Sequence, residues 1–274
     1  MVAAIFNVYD GIELLPFSVS NISPCVEGII IVYQTTSNTG EHDYSVADSV
    51  NYIASITRNN VYPIYYKPDL SKQPAENERA KRELGLVTAK RLGYTHFLDI
   101  DCDEFYLQEE FLKEKERVLN SGTNGLICRS QVYFNSPELT IGYDITLVPF
   151  LNKVDCNHVL NRNMPYAWSV MDNVPYTIKK QIRVDPTRQL SFTSGIEWSQ
   201  IVMHHYSYVR KDIKKKIRNS TARQNIEKST VLNDLLHAKD GYYCEFYGKH
   251  LRKCPNVFGI PTWKDLKTTS EDNL

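Results

Sequence analysis

The chain has no surplus of either charge: 32 lysines and arginines face 32 aspartates and glutamates, a formal net charge of +0. A general nucleic-acid binder carries a clear positive excess, so that class is set aside. Also missing is any run of about eighteen consecutive apolar residues, which an ordinary membrane-spanning helix requires. The six cysteines (Cys25, Cys102, Cys128, Cys156, Cys244, Cys254) include no Cys-x-x-Cys pair and no zinc-like spacing. They read as reduced, packed thiols of a cytoplasmic protein rather than a disulfide or metal framework. The opening MVAAIFNVYDGIELLP has no basic stretch and carries Asp10 and Glu13, unlike a secretory signal. The sequence holds no internal repeat and no low-complexity tract.

What is present suits one large domain with an elaborated tail. With 274 residues and 42% hydrophobic composition, the chain can bury a substantial core without disulfides or a structural metal. Its first hundred residues alternate short apolar runs with helix-like stretches, the pattern of a mostly parallel sheet flanked by helices. Strands are expected at 2–8, 28–33, 61–66 and 94–100, the second (GIIIVY) apolar throughout, as when both faces are covered. Helices are expected at about 12–20, 43–58 and 76–92.

In the third helix Ala80, Leu84, Val87 and Leu92 approximate an apolar face, while Glu78, Arg79, Lys81 and Arg82 crowd its first turns. Cations beside a helix N-terminus are unfavourable unless an anion sits nearby. From 124 to 206, apolar runs (GLICRSQVYF, ITLVPFL, YTIKKQIRV, IVMHHYSY) alternate with Pro, Asn and Asp clusters, predicting strands with long, site-shaping loops. Past Tyr208 the chain turns helical and basic, with Arg210, Lys211, Lys214, Lys215, Lys216 and Arg218 close together. The division expected is an α/β body over 1–208 and a helical C-terminal extension over 209–274 packed on it.

The most informative stretch is YTHFLDIDCDEFY, residues 94–106, an apolar strand running into Asp99, Asp101, Asp103 and Glu104. Like charges this close repel strongly in a poorly solvated cleft, so they take up protons or hold a cation. Hard oxygen ligands select Mg²⁺ or Mn²⁺. At the carboxyl end of a parallel strand, such acids sit where open α/β sheets bind ligands. A haloacid-dehalogenase-like phosphatase would use Asp99 as nucleophile and Asp101 as acid, but Asp103 stands where that pattern has Thr. A non-catalytic glycan-binding module is a further alternative.

The segment NERAKRELGLVTAKRLGYTHFLDIDCDEFY resembles that of a GT-A fold glycosyltransferase, similar to family 2 and related nucleotide-sugar enzymes. NVYDGIELLP and GIIIVYQTTSNTGE resemble the opening of the same family. The likeness covers 2–106 well and 124–210 loosely. It implies a Rossmann-like, mixed but mostly parallel sheet flanked by helices, a nucleotide-sugar half at 1–106 and an acceptor half at 107–208. It further implies a nucleoside diphosphate sugar as donor, most commonly a UDP-sugar, Mn²⁺ or Mg²⁺ as cofactor, and a glycan or lipid-linked acceptor.

Carried onto this sequence, the resemblance makes Asp101 and Asp103 the Asp-x-Asp pair, with Asp103 the direct metal ligand and Asp101 toward ribose or metal. His205 resembles the C-terminal histidine that completes the metal shell; if Ile201, Met203 and His205 share a strand face, His204 points the other way, and a one-residue bulge would exchange the two. Arg82, beside Arg79 and Lys81, falls where a cation approaches the nucleotide. Asn7, Asp10, Gln34, Ser37 and Asp69 are candidates for base and ribose. Arg210, Lys211 and Lys214 would reach the diphosphate or, as a basic face over 210–218, touch an anionic bilayer peripherally. For a catalytic base the candidates are Glu197, beside Trp198, and Asp172, near Trp168.

Overall fold

The computed structural model describes residues 1–57, 60–159, 171–172, 183–191, 195–219 and 228–263. Strand β1 (Val2–Val8) is buried along its whole length and lies between β2 (Gly28–Tyr33) and β4 (His96–Asp101), parallel to both. With β3 (Asn60–Tyr65) beyond β2, and the short antiparallel β8 (Asn152–Lys153) on the other edge, the order is β3-β2-β1-β4-β8. Alternation along β1 explains its burial. Val2, Ala4, Phe6 and Val8 enter one apolar cluster, and Ala3 and Ile5 enter another on the opposite face.

The first of these faces packs against α1 (Leu15–Ile22), α2 (Ser45–Ile56) and α4 (Gln108–Ser121) through Val19, Ile22, Val46, Val50, Phe111 and others. The second packs against α3 (Pro74–Arg91) through Leu86 and Ala89. Helix α3 starts at Pro74 with a capping box formed by Gln73 and Glu76. Its buried face is not the one read from hydropathy: Asn77, Lys81, Arg82, Gly85, Leu86, Thr88 and Ala89 turn inward, and Val87 is half exposed.

The second sheet is built on the long strands β6 (Gly125–Phe134), β7 (Ser136–Phe150) and β11 (Ile196–Tyr208), with two-residue strands β5 (Glu104–Phe105), β9 (Met171–Asp172) and β10 (Arg183–Val184) at its margins. Its order is β10-β7-β6-β11-β5, and β9 pairs with β11. Most of the predicted strand at 176–184 lies outside the described residues.

Past Tyr208 come α5 (Ile213–Asn219) and α6 (Lys228–His237), but the extension is not purely helical. Short strands β12 (Tyr243–Cys244) and β13 (Lys249–His250) pair with each other, and β14 (Arg252–Lys253) adds antiparallel to β7. Ile213, Val231, Leu235, Cys244 and Leu251 of this segment share an apolar cluster with Val132, Phe134 and Ile141 of β6 and β7. All six cysteines are free thiols, five of them buried. Among the described residues no helix is long and apolar enough to cross a membrane.

Candidate functional site

The chain leaves the first sheet at Asp101 and joins the second at Glu104, so the Asp-x-Asp turn is the joint between the two. Register fixes what meets there. Asn7 of β1 lies opposite Asp101, Glu104 of β5 opposite His205 of β11, and the Tyr206 N–H donates to the Asp103 carbonyl at 2.7 Å. The carboxyl ends of β1, β2 and β4 and the end of β11 thus converge on one place.

Each carboxylate there has a cationic partner. Arg82 donates to both oxygens of Asp101, at 3.1 and 3.2 Å, and Arg188 donates to Asp101 Oδ2 at 2.9 Å. Burial pushes the Asp101 carboxyl up, but the two guanidiniums outweigh it and hold it at about 2. Arg188 also clasps both oxygens of Glu104, whose Oε2 accepts the Asp101 N–H at 2.9 Å. For Glu104 burial wins, and its carboxyl is raised.

Asp103, 3% exposed, is bonded by Arg210 and approached at 3.6 Å by both His205 Nε2 and Lys216 Nζ. Burial again opposes ionisation, and Arg210, then Lys216 and His205, hold Asp103 well below the usual carboxylate range. The imidazole of His205, lowered by burial, is raised on balance by Asp103. The cations that crowd the start of α3 therefore do meet anions, namely Glu78 at 3.1 Å from Arg82, and Asp101.

Asp99 stands apart from this group. It is 3% exposed, and its Oδ2 accepts from His158 Nε2 at 2.6 Å, while His158 Nδ1 faces Glu83 Oε2 at 3.2 Å. A carboxylate sealed in this way cannot reach a phosphoryl group, which removes the support for a phosphatase with Asp99 as nucleophile.

Fourteen buried side-chain polar atoms of the described residues lack a hydrogen-bond partner, and nine belong to this neighbourhood. They are both amide atoms of Asn7, Asp10 Oδ2, Gln34 Oε1, Arg82 Nε and Nη1, Asp99 Oδ1, Arg188 Nε and Arg210 Nη1. Gln34 is 1% exposed, its Nε2 donating to the Thr36 carbonyl and to Asn38 Oδ1. Ser37 is buried, and its hydroxyl accepts the N–H groups of Thr39 and Glu41. Gly11, at φ +76°, leaves the Arg210 guanidinium in the space a Cβ would fill.

Other predicted residues lie farther out. Asp69 is exposed, its carboxylate engaged by Ser71 and Lys72, and Arg79 is half-buried on α3. Lys211 is exposed, and its main-chain N–H donates to Glu13. Glu197 is not brought to the site. It sits eight residues before His205 on β11, roughly 25 Å along the strand, and accepts from Arg117 at 2.6 Å. Asp172 pairs in register with Glu197, so its backbone belongs to the same far end; its side chain and Trp168 lie outside the described residues. Sequence reasoning missed His158 and Arg188, which no local motif announces.

Asp103, Glu104 and His205 each offer one ligand atom, all within 4.8 Å of one another. Hard oxygens with one imidazole fit Mn²⁺ or Mg²⁺. Each of these carboxylates already has a cationic partner, Glu104 and Asp101 with Arg188 and Asp103 with Arg210, so a metal ion held here would take the place of a guanidinium.

A mixed α/β domain with a charged, under-satisfied cluster at its carboxyl strand ends is the class defined here. No protein family matches the chain, and no curated protein does. Among solved structures, Staphylococcus aureus TarS 1–349 is 13% identical with a TM-score of 0.44, over 85% of this chain and 69% of that one. TarS 1–349 in complex with UDP-GlcNAc is 12% identical with a TM-score of 0.36, over 48% of this chain and 35% of that one. This chain therefore spans about a third of that structure's length. Likeness this partial carries no weight for function, which the chemistry of the crevice has to supply.

Proposed function

We propose that this chain is a metal-dependent glycosyltransferase that moves a sugar from a nucleoside diphosphate sugar, a UDP-sugar above all, to a hydroxyl of a glycan or lipid-linked acceptor. The observation that supports this reading is the concentration of unpaired buried polar atoms around the Asp-x-Asp turn. Each such atom costs about 1–3 kcal/mol, so the seven on Asn7, Asp10, Gln34, Arg82 and Arg210 point to a polar ligand that enters here. A nucleoside diphosphate sugar has the complementary groups. Its base and ribose would meet Asn7, Asp10, Gln34 and Ser37, and its phosphoryl oxygens would meet Arg188, Arg210 and Lys216.

Asp103 and His205, with Asp101, would hold the cation, which when bound supplies positive charge to the leaving diphosphate. The chain's own part is positioning. Arg82 and Arg188 fix Asp101, Glu104 fixes Arg188, and the turn at Gly11 makes room for Arg210. Asp69, Arg79 and Lys211 would act at the rim. In the basic run, Arg210, Lys215 and Lys216 are paired with Asp103 or Asp43, leaving, among the described side chains, the exposed Lys211 and Lys214 for any peripheral membrane contact of a cytoplasmic enzyme. Neither Glu197 nor Asp172 is assigned as base to this crevice.

Thermal melting with UDP, GDP, CDP and dTDP, each with Mn²⁺, with Mg²⁺ or with EDTA, tests the reading. One nucleotide with metal should raise the midpoint by on the order of 5–10 °C at a hundredfold excess over its Kd. Asp103→Asn should abolish the shift. No shift with any nucleotide and either Mn²⁺ or Mg²⁺ would leave a glycan-binding module as the better account.

A further inference from the structure

A groove elsewhere in the molecule shares no lining residue with the Asp-x-Asp cluster. It holds about 500 Å³, between β6, β7 and the β13–β14 segment, and its lining includes Gln131, Thr140, Tyr143, Lys249, His250, Arg252 and Lys253. We propose that this groove binds an anionic glycan chain, independently of the donor site.

Its shape follows from an irregularity in the sheet. Between Arg129 and Gln131 of β6 the pairing partner on β7 jumps from Leu147 to Tyr143, so two steps on one strand face four on the other. Such a bulge bends the longer strand and re-aims its side chains. Gly142, at φ +76°, continues the turn. Tyr143 emerges 45% exposed, its ring backed by the Arg129 guanidinium at 4.9 Å from the centroid. A tyrosine held this way offers a flat apolar face for sugar C–H groups and a polar tip.

The other wall carries the charge. Lys249 Nζ donates to the Tyr143 carbonyl, which holds that cation against the platform. Arg252 and Lys253, on β14, are exposed and have no ion-pair partner among the described residues. Of the acids nearby, Asp240 accepts the Lys253 N–H at 3.0 Å and Asp144 accepts the Ile145 N–H at 2.7 Å, and neither is ion-paired with Lys249, Arg252 or Lys253. In a chain with no net charge, Lys249, Arg252 and Lys253 together in the lining of one groove select an acidic ligand locally. The amide of Gln131 and the hydroxyl of Thr140 suit sugar hydroxyls, although each already donates to a protein acceptor. A single ring and a short groove suit a glycan better than a nucleic acid, which would call for a longer basic stripe with several stacking platforms.

Calorimetric titration of the full chain with hexagalacturonate, neutral maltohexaose and a short oligothymidylate decides the matter. Hexagalacturonate should bind on the order of tenfold more tightly than maltohexaose, with affinity falling as salt rises. The double variant Arg252→Ser/Lys253→Ser should lose about tenfold for hexagalacturonate. Tyr143→Ser should weaken it with the charge intact. All the variants should keep any nucleotide-dependent melting shift of the parent, so failure here is separate from failure of the donor site. Absence of hexagalacturonate binding, equal binding of maltohexaose, tighter binding of oligothymidylate, or indifference to the double variant would each overturn the proposal.

Discussion

Two adjacent histidines on β11 illustrate how strand alternation assigns roles. His205 faces Asp103, whereas His204 is buried among Tyr133, Tyr206 and Phe258. Gln131 Nε2 donates to the Tyr133 hydroxyl at 3.1 Å, which leaves the Tyr133 proton for His204 Nδ1 at 2.7 Å. Burial lowers His204 to about 4 from 6.5, so it stays neutral in the fold while the unfolded chain protonates it. Between those two values the unfolded state binds more protons, so stability falls as pH drops from about 6.5 to about 4. His204→Gln keeps a polar side chain and removes the titration. Relative to the parent, it should lose less unfolding free energy between neutral pH and about 4, by on the order of 3 kcal/mol. Urea denaturation at both pH values checks this, and parallel losses in the two proteins would refute it.

At the scale of elements, α3 lies against the sheet more closely than an ordinary helix can. Gly85 is the reason: a Cβ there would lie 2.3 Å from Ile5 Cγ2 and 3.1 Å from Val32 Cγ2. Helix propensity alone would make Gly85→Ala stabilising by about 1 kcal/mol. The close approach reverses the sign, and the variant should lose about 1–3 kcal/mol in chemical denaturation through overpacking. A stabilised variant would show that the helix can lift without penalty.

The same helix shows what hydropathy can reveal. Strands β1, β2 and β4 were legible because burial on both faces forces continuous apolar runs. The inward face of α3 was not, because Lys81 and Arg82 are scored as outward residues while the fold supplies Glu78 and Asp101. Asp101, Asp103 and His205 could be read from their strand ends. His158 and Arg188 could not, since their partners lie 59 and 84 to 87 positions away. Nor did periodicity announce α4, where just Phe111 and Val118 are buried.

For the molecule as a whole, the Asp-x-Asp turn is the joint at which two sheets and the C-terminal segment meet. Asp103 contacts Arg210 and Lys216, Asp43 holds Lys215, and Glu13 holds the Lys211 N–H. A ligand at this joint therefore has to order residues from three distant parts of the chain together. Binding that favours one arrangement suppresses local opening of every segment that contributes to it. With UDP and Mn²⁺ bound, amide hydrogen exchange should slow in concert at 7–11, 34–37, 101–106 and 205–216. Amides at 196–200, roughly 25 Å along β11 from His205, should be unchanged. Protection confined to 196–200 and its neighbour β9 would transfer the binding site to the Glu197 end of the sheet. Protection of the nucleotide-half segments without 205–216 would detach His205 and α5 from the donor site.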